Sequence, residues 1–296
     1  MSDRRPTGTD VNRLPFTLLG GYLGAGKTTI VNRLLAESVG RRLVVLVNDV
    51  GAVNVDAALI ARHDGETLEL TNGCVCCAIA DDLGPALERV RVLVDDPTPP
   101  DQVVMELSGV AEPARVAPWA NTTGFRLDGI VVCADAEQIV GLAGRRFVGD
   151  TIRTQLEAAD VVLLTKTDLA TDAGAAARAF IAGVSDAPVV DARAGEVARL
   201  LTVGGSGTVP PSRSRRSLAG DRHGTAAIDV AGRTLVELER LVAELPDDVV
   251  RAKAVVRCTD RGHPVEVHLV GSRREIRERP DLPLDAASDT LITVTA

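Results

Sequence analysis

The chain has 296 residues, of which 45% are hydrophobic and 2% aromatic, with a formal net charge of −8 and a pI of about 5.1. The length suits one large or two modest domains, and the acidic balance argues against nucleic-acid binding as the main activity. No apolar run reaches membrane-spanning length, and five cysteines are too few and too clustered for a secreted disulfide framework. We therefore expect a cytoplasmic protein that works without a membrane.

The polar residues 1–13 are predicted to form a disordered tail, and a complete GxxxxGK[ST] phosphate-binding loop follows at residues 21–28. An apolar run precedes this loop and a helical pattern begins behind it, which is the context that the motif requires. The glycines let backbone N–H groups turn towards a polyphosphate at the positive end of the helix dipole. Lys27 is predicted to reach the β- and γ-phosphates and the Thr28 hydroxyl to bind Mg²⁺. The predicted nucleotide contacts here are Gly21, Gly24, Ala25, Gly26, Lys27, Thr28 and Thr29.

Apolar runs alternate with helical segments over the first two thirds of the chain. The predicted strands are Leu14–Leu19, Leu43–Val47, Gln102–Leu107, Gly129–Cys133, Val161–Thr165 and Ala187–Val190. The predicted helices are Lys27–Ser38, Ile79–Val94, Thr151–Ala158 and Asp172–Gly183. Continuous apolar strands alternating with helices indicate a mainly parallel sheet covered by helices on both faces. We predict such an α/β domain over residues 14–202.

The pattern changes after residue 202. Residues 203–218 are rich in Gly, Pro, Ser and Arg without periodicity, and are predicted to be a linker. Beyond them one amphipathic helix is flanked by strands, which predicts a small α+β domain over residues 219–296. Its predicted elements are the helix Thr234–Leu245 and the strands Ala226–Val230, Val249–Cys258, Val265–Val270 and Thr290–Thr295.

One buried strand ends in a carboxylate. Val103-Val104-Met105 leads into Glu106, and in phosphate-loop proteins an acid at such a strand end contacts Mg²⁺, often through water. Gly109 follows three residues later, where its backbone N–H could sense a γ-phosphate. Lys27, Thr28 and Glu106 are therefore the predicted catalytic set, with Thr28 and Glu106 holding Mg²⁺.

The segment Thr165-Lys166-Thr167-Asp168 matches the [NT]KxD guanine-specificity motif of GTPases. The Asp168 carboxylate can accept both N–H donors of the guanine Watson–Crick edge, while adenine would leave polar groups unpaired. The chain has 33 basic residues but only three lysines, and two of them, Lys27 and Lys166, fall in nucleotide motifs. These residues predict a P-loop GTPase domain that binds GTP and GDP.

Three of the five cysteines, Cys74, Cys76 and Cys77, lie within four residues. Such close thiolates form a soft-metal site suited to Zn²⁺, and also to Co²⁺. The fourth ligand stays open between water, a carboxylate such as Glu69, a partner side chain and the sequence-distant His63. Buried structural cysteines and a strained Cys76–Cys77 disulfide are the alternatives.

Taken in order, these pieces resemble the CobW-type GTPases, relatives of the nickel chaperones UreG and HypB. The resemblance spans nearly the whole chain. The matching segments are Gly20–Thr29, Asn48–Asp56, Asn72–Cys77, Glu106–Pro113, Leu127–Ala136, Thr165–Asp168 and Leu245–Ala254. It implies slow GTP hydrolysis that gates the transfer of a transition metal from the cysteines to a client metalloprotein.

The resemblance also implies that Asn48–Asp56 is a switch, with Asp49 near the nucleotide. The chain departs from the family pattern in three segments. Asp49 and Val50 replace Glu and Phe, Leu107 and Ser108 replace two Thr residues, and Thr165 replaces the commoner Asn. Asp49 is one methylene shorter than the Glu that would contact metal or Mg²⁺, and Thr165 is expected to weaken nucleotide affinity. Two alternatives remain, a nucleotide-dependent regulator with purely structural zinc and a small-molecule kinase, and dimerisation is open.

Overall fold

The structure is a computed structural model that describes residues 13–38, 41–47, 60–61, 67–68, 83–93, 99–122, 124–193, 197, 201, 224–246, 248–271 and 273–295. The predicted tail up to residue 12, the predicted linker 203–218, Asp49 and the clustered cysteines lie outside the described residues. Within the described ranges, no helix has the length and apolar character needed to cross a bilayer.

The first sheet has eight strands in the order β4-β3-β2-β5-β1-β6-β7-β8. They are β1 (Leu14–Gly20), β2 (Leu43–Val47), β3 (Ile60–Ala61), β4 (Thr67–Leu68), β5 (Gln102–Glu106), β6 (Phe125–Asp135), β7 (Val161–Thr165) and β8 (Val189–Asp191). The six strands from β2 to β8 in this order pair in parallel, and only the two-residue strands β3 and β4 pair antiparallel at one edge.

Helices cover both faces of this sheet. They are α1 (Lys27–Glu37), α2 (Leu83–Val92), α3 (Pro113–Val116), α4 (Ile139–Ala143), α5 (Val148–Glu157) and α6 (Ala175–Ala182). Adjacent residues of β1 join different cores, because side chains alternate between the faces of a strand. Leu18 packs in the core that includes Ile152 and Ile181, whereas Leu19 packs in the core that includes Leu34 of α1. The predicted α/β fold is therefore confirmed.

The second sheet has five antiparallel strands in the order β12-β11-β10-β13-β9. They are β9 (Gly224–Asp229), β10 (Val249–Arg257), β11 (Pro264–Val270), β12 (Arg273–Glu278) and β13 (Thr290–Thr295). The helix α7 (Leu235–Ala243) begins with a capping box between Thr234 and Glu237, and its apolar stripe packs on this sheet. The predicted small α+β region is confirmed, while the domain boundaries stay predictions.

The second sheet docks on the first through a buried network of charges, which we call the docking network. Its centre is Asp128 on β6, which is 0% exposed and pairs with Arg251 of β10. On β11, His268 Nε2 lies 2.8 Å from the Asp128 carbonyl oxygen, and Glu266 accepts from Arg126 at 3.0 Å. The remaining members are Lys253 on β10, Gln102 on β5 and Thr17 on β1.

The strand β6 is longer than predicted and the strand β12 was not predicted, for different reasons. The strand predicted over Gly129–Cys133 runs over Phe125–Asp135, because Arg126 and Asp128 interrupt the apolar pattern yet are buried and paired. The strand β12 was not predicted, since its sequence RREIRE has one apolar residue in six. An exposed edge strand needs no apolar run, and charges there oppose pairing with other chains.

Candidate functional site

The phosphate loop joins β1 to α1 in a conformation that its glycines permit. Gly21, Gly24 and Gly26 have φ angles of 130°, 77° and 86°, in the left-handed region that disfavours other residues. At position 21 space is also short, since a Cβ would lie 2.4 Å from the Cys133 carbonyl oxygen. The loop therefore lies directly against β6, and it opens the helix at Lys27.

Lys27 folds back over this loop. Its ammonium donates to the carbonyl oxygens of Gly21 at 2.9 Å and Tyr22 at 3.2 Å, and its side chain is buried. The first turn of α1 presents N–H groups that have no partner within the helix. A fixed cation beside these donors fits a bound polyphosphate, as the loop pattern predicts.

Thr28 and Glu106 meet at the end of β5. The Thr28 hydroxyl donates to Glu106 Oε1 at 2.8 Å, although the residues are 78 positions apart in the chain. Parallel pairing of β1 with β5 sets Leu19 opposite Glu106, which brings the strand end to the loop. A hydroxyl and a carboxylate are oxygen ligands of the kind that Mg²⁺ takes, so these residues fit that ion.

Gly109 lies against the phosphate loop. A Cβ at this position would come within 2.5 Å of Leu23 Cδ2 and 2.8 Å of the Leu23 backbone nitrogen. Its carbonyl accepts from Gln155 Nε2 at 3.1 Å, and the same nitrogen donates to Ala111 O at 2.8 Å. The predicted phosphate sensor is thus tied to α5 by a side chain that has no part in the sequence-based predictions.

The predicted base-recognition segment follows β7 and touches the same loop. Thr165 Oγ1 lies 2.9 Å from Ala25 O and 3.1 Å from Ala134 O, so its hydroxyl connects the phosphate loop with β6. Lys166 has a φ of 55° and pairs with Asp135 Oδ2 at 2.7 Å. The Asp168 side chain is 52% exposed and therefore open to a ligand. The structure thus brings the phosphate and base segments together at one sheet edge.

The family model for the CobW/HypB/UreG nucleotide-binding domain matches residues 15–187, more than half of the chain. The chain belongs to this family. All the site residues described above lie inside the matched range. The second sheet, from β9 onward, lies outside it.

Curated relatives carry zinc in their names. The zinc chaperone CobW of Sinorhizobium sp is 31% identical over 241 residues, which cover 69% of this chain and 66% of that protein. The zinc chaperone YjiA of Escherichia coli K12 is 35% identical over 170 residues, covering 55% of this chain and 52% of that protein. The matched segments thus span about half to two thirds of these relatives.

One solved structure of the family is zinc-bound YjiA from E. coli. Its superposition covers 96% of this chain and 94% of the YjiA chain. Its sequence identity is 23% and its TM-score is 0.45. An overlap this loose adds nothing to the assignment, which stands on the family match.

The sequence-based predictions gave Asp135 no role in this member of the CobW/HypB/UreG family. It ends β6, is buried, and pairs with Lys166. Its other oxygen accepts from the backbone N–H groups of Glu137 at 2.9 Å and Gln138 at 3.3 Å. The signal was present in the sequence, because an acid ends an apolar strand here as Glu106 does on β5.

The two cysteines among the described residues, Cys133 and Cys258, are buried as isolated side chains of the two sheets. Burial raises the pKa of the Cys133 thiol to about 12, so it stays protonated. Cys258 is also free and buried. Within the described part of the chain, no group of three or more His, Cys, Asp or Glu side chains suits a metal ion. The predicted ligands Cys74, Cys76 and Cys77 lie outside that part.

Proposed function

We propose that this CobW/HypB/UreG family member binds and slowly hydrolyses GTP to control the release of a transition metal. The metal is zinc, with cobalt as the alternative, held by Cys74, Cys76 and Cys77 and passed to a client metalloprotein. The observation that carries the GTP part is the convergence of Lys27, the Thr28–Glu106 pair and the Thr165–Asp168 segment on one loop. The names of the curated relatives support the zinc part.

In this proposal, different described residues bind the phosphate end and the guanine end of GTP. Lys27 and the loop N–H groups hold the phosphates, and Asp168 accepts the N–H donors of guanine. The Thr165 bond to Ala25 joins the proposed base-recognition segment to the phosphate loop. This bond supports a firm nucleotide site despite the change from the commoner Asn.

Thr28 and Glu106 would hold Mg²⁺. When bound, that ion supplies positive charge to the β- and γ-phosphates as charge develops on them. The chain itself contributes electrostatic stabilisation through Lys27 and the N–H groups of the loop. Slow intrinsic hydrolysis, without a partner, is what such a site supports.

Metal and nucleotide are linked in this proposal by position along the chain. The cysteine cluster stands between the proposed switch, Asn48–Asp56, and the strand that ends in Glu106. A segment that responds to the γ-phosphate can therefore alter the thiolate ligands. The proposed coupling of metal and nucleotide does not require homodimerisation.

The test is a zinc titration against a competing chelator, with the protein loaded with GDP or with the slowly hydrolysed analogue GTPγS and Mg²⁺. We expect zinc affinity to differ by about tenfold or more between the two states, since coupling energies are typically 1–3 kcal/mol. The triple variant Cys74→Ser, Cys76→Ser, Cys77→Ser should lose zinc binding, and the control Cys258→Ala should keep it. Equal and tight zinc binding in both states would support the alternative, a nucleotide-dependent regulator with structural zinc.

A further inference from the structure

Gln155 is buried beneath the phosphate-sensing segment. Its residue is 1% exposed, and its Nε2 donates to two backbone carbonyls, Gly109 O and Ala111 O. One planar amide group thus spans both sides of Val110. Its own backbone is fixed in α5, whose Ile152 and Leu156 are buried in the core on one face of the first sheet.

The two residues that Gln155 holds are buried, with Ala111 in the apolar core and Gly109 directly against Leu23 of the phosphate loop. A pocket with about 310 Å³ of unfilled space, part of it open to solvent, lies beside the phosphate loop. Gln155 and Leu23, which both touch Gly109, line it. Packing has no strong directional preference, so the two hydrogen bonds from Gln155 are what fix the direction of the Gly109 and Ala111 carbonyls.

We propose that Gln155 is a positioning residue that holds the Gly109 N–H ready for the γ-phosphate and so sets the preference for GTP over GDP. This inference rests on the proposed GTP function. In this inference Gln155 acts through the Gly109 backbone and does not touch the nucleotide. GDP has no γ-phosphate, so its affinity should depend little on where Gly109 lies.

A matched control exists on the same sheet. Gln102 is 3% exposed, and its Nε2 also donates to a backbone carbonyl, Leu201 O, at 2.6 Å. It begins β5, whereas the nucleotide residues stand at the opposite strand ends. Replacing either glutamine with methionine removes buried hydrogen bonds from a side chain of similar length.

The experiment measures the dissociation constants of fluorescent GDP and GTPγS for three proteins, the wild type, Gln155→Met and Gln102→Met. We expect Gln155→Met to reduce the preference for GTPγS about tenfold, the effect of losing a buried hydrogen bond, with GDP affinity almost unchanged. Gln102→Met should keep the wild-type preference at lower stability. An unchanged preference in Gln155→Met overturns the inference, as does an equal loss in both variants.

A second measurement uses the wild type alone and covers the case in which a variant fails to fold. The chain has only three glutamines, Gln102, Gln138 and Gln155, so side-chain ¹⁵N-glutamine labelling yields three amide pairs in an NMR spectrum. Exchange of GDP for GTPγS should move the Gln155 signals and leave those of Gln102 in place. If the Gln155 signals do not move, the inference is wrong. If the wild type binds neither nucleotide, the proposed function has failed instead.

Discussion

The first sheet carries polar side chains at both ends of its strands, and the two ends differ in what satisfies them. At the nucleotide end, the carboxylate of Asp168 is half exposed and its nearest described cation, Arg193, is 3.7 Å away. At the other end, Asp128 is fully buried and already paired with Arg251 of the second sheet. The Asp168 carboxylate is available to a ligand, whereas the Asp128 carboxylate is already occupied by an ion pair within the protein.

This difference separates binding from stability. A buried charge that loses its partner keeps its desolvation cost, whereas an exposed charge that loses its partner returns to water. The same strands connect the two ends, since β5 begins at Gln102 and ends at Glu106. We therefore expect a substitution of Asp128 to lower stability with little effect on nucleotide binding, and a substitution of Asp168 to weaken nucleotide binding with little effect on stability.

The largest expected effect is that of Asp128→Asn. The substitution keeps the shape but removes the negative charge that Arg251 faces in the buried docking network. We expect the free energy of unfolding to fall by about 3–5 kcal/mol, the usual cost of leaving a buried charge unpaired. Urea unfolding followed by circular dichroism measures it, and guanine-nucleotide affinity of the folded variant should stay near wild type.

The matched control for Asp128→Asn is Glu88→Gln, which breaks a surface pair with Arg91. The Glu88 side chain is 62% exposed, so we expect no measurable change in the free energy of unfolding. A loss of similar size in the two variants would show that the docking network does not hold the second sheet in place.

The next effect is on binding and belongs to Asp168→Asn. The amide no longer accepts both N–H donors of guanine, so we expect GTP and GDP affinity to fall about 100-fold while ATP binding stays weak. The free energy of unfolding should change by less than about 0.5 kcal/mol, as for most surface substitutions. Calorimetric titration and urea unfolding of the same sample give both numbers.

Asp248→Asn, at an exposed position next to β10, is the control for this substitution. It should leave guanine affinity unchanged. Full GTP affinity in Asp168→Asn would contradict the assignment of residues 165–168 to base recognition. It would leave the phosphate subsite around Lys27 untouched.

The two ends also differ in how far sequence patterns reveal them. The phosphate loop is a local motif, and its partner Glu106 stands at the end of an apolar strand, so both could be located by reading along the chain. The strands Leu43–Val47 and Val161–Thr165 have the predicted bounds, because five consecutive apolar or β-branched residues mark a doubly covered parallel strand.

The docking network could not be predicted in this way. Asp128 and Arg251 are 123 positions apart, and each alone reads as a solvated charge within or beside a strand. Burial of such a charge depends on a partner that arrives from the other sheet, which periodicity does not encode. The third lysine, Lys253, belongs to this network rather than to a nucleotide motif.

The smallest effect is a pH dependence of stability that the docking network confers. Burial lowers the pKa of His268 from 6.5 to about 4. Its charged neighbours are Asp128 and Arg126 on β6, Arg251 and Lys253 on β10, and its cross-strand neighbour Glu275 on β12. Their net effect leaves the imidazole neutral in the folded protein near pH 7, with Nε2 next to the Asp128 carbonyl oxygen.

The unfolded chain takes up a proton on this histidine below pH 6.5, while the folded protein does not until about pH 4. The unfolded state thus binds more protons in this window, so stability falls as the pH falls. From pH 8 to pH 5 we expect a loss of about 2 kcal/mol from His268. Urea unfolding at a series of pH values measures it against His268→Gln, in which the side chain cannot titrate.

The comparison of slopes separates His268 from the acidic groups that titrate at lower pH. The pKa of Asp128 is below its ordinary value because its cationic neighbours, led by Arg251, outweigh the effect of burial, so Asp128 contributes below about pH 4 in both proteins. Equal slopes in wild type and His268→Gln between pH 8 and pH 5 would mean that water reaches the imidazole. The docking end would then resemble the nucleotide end in its exposure to solvent.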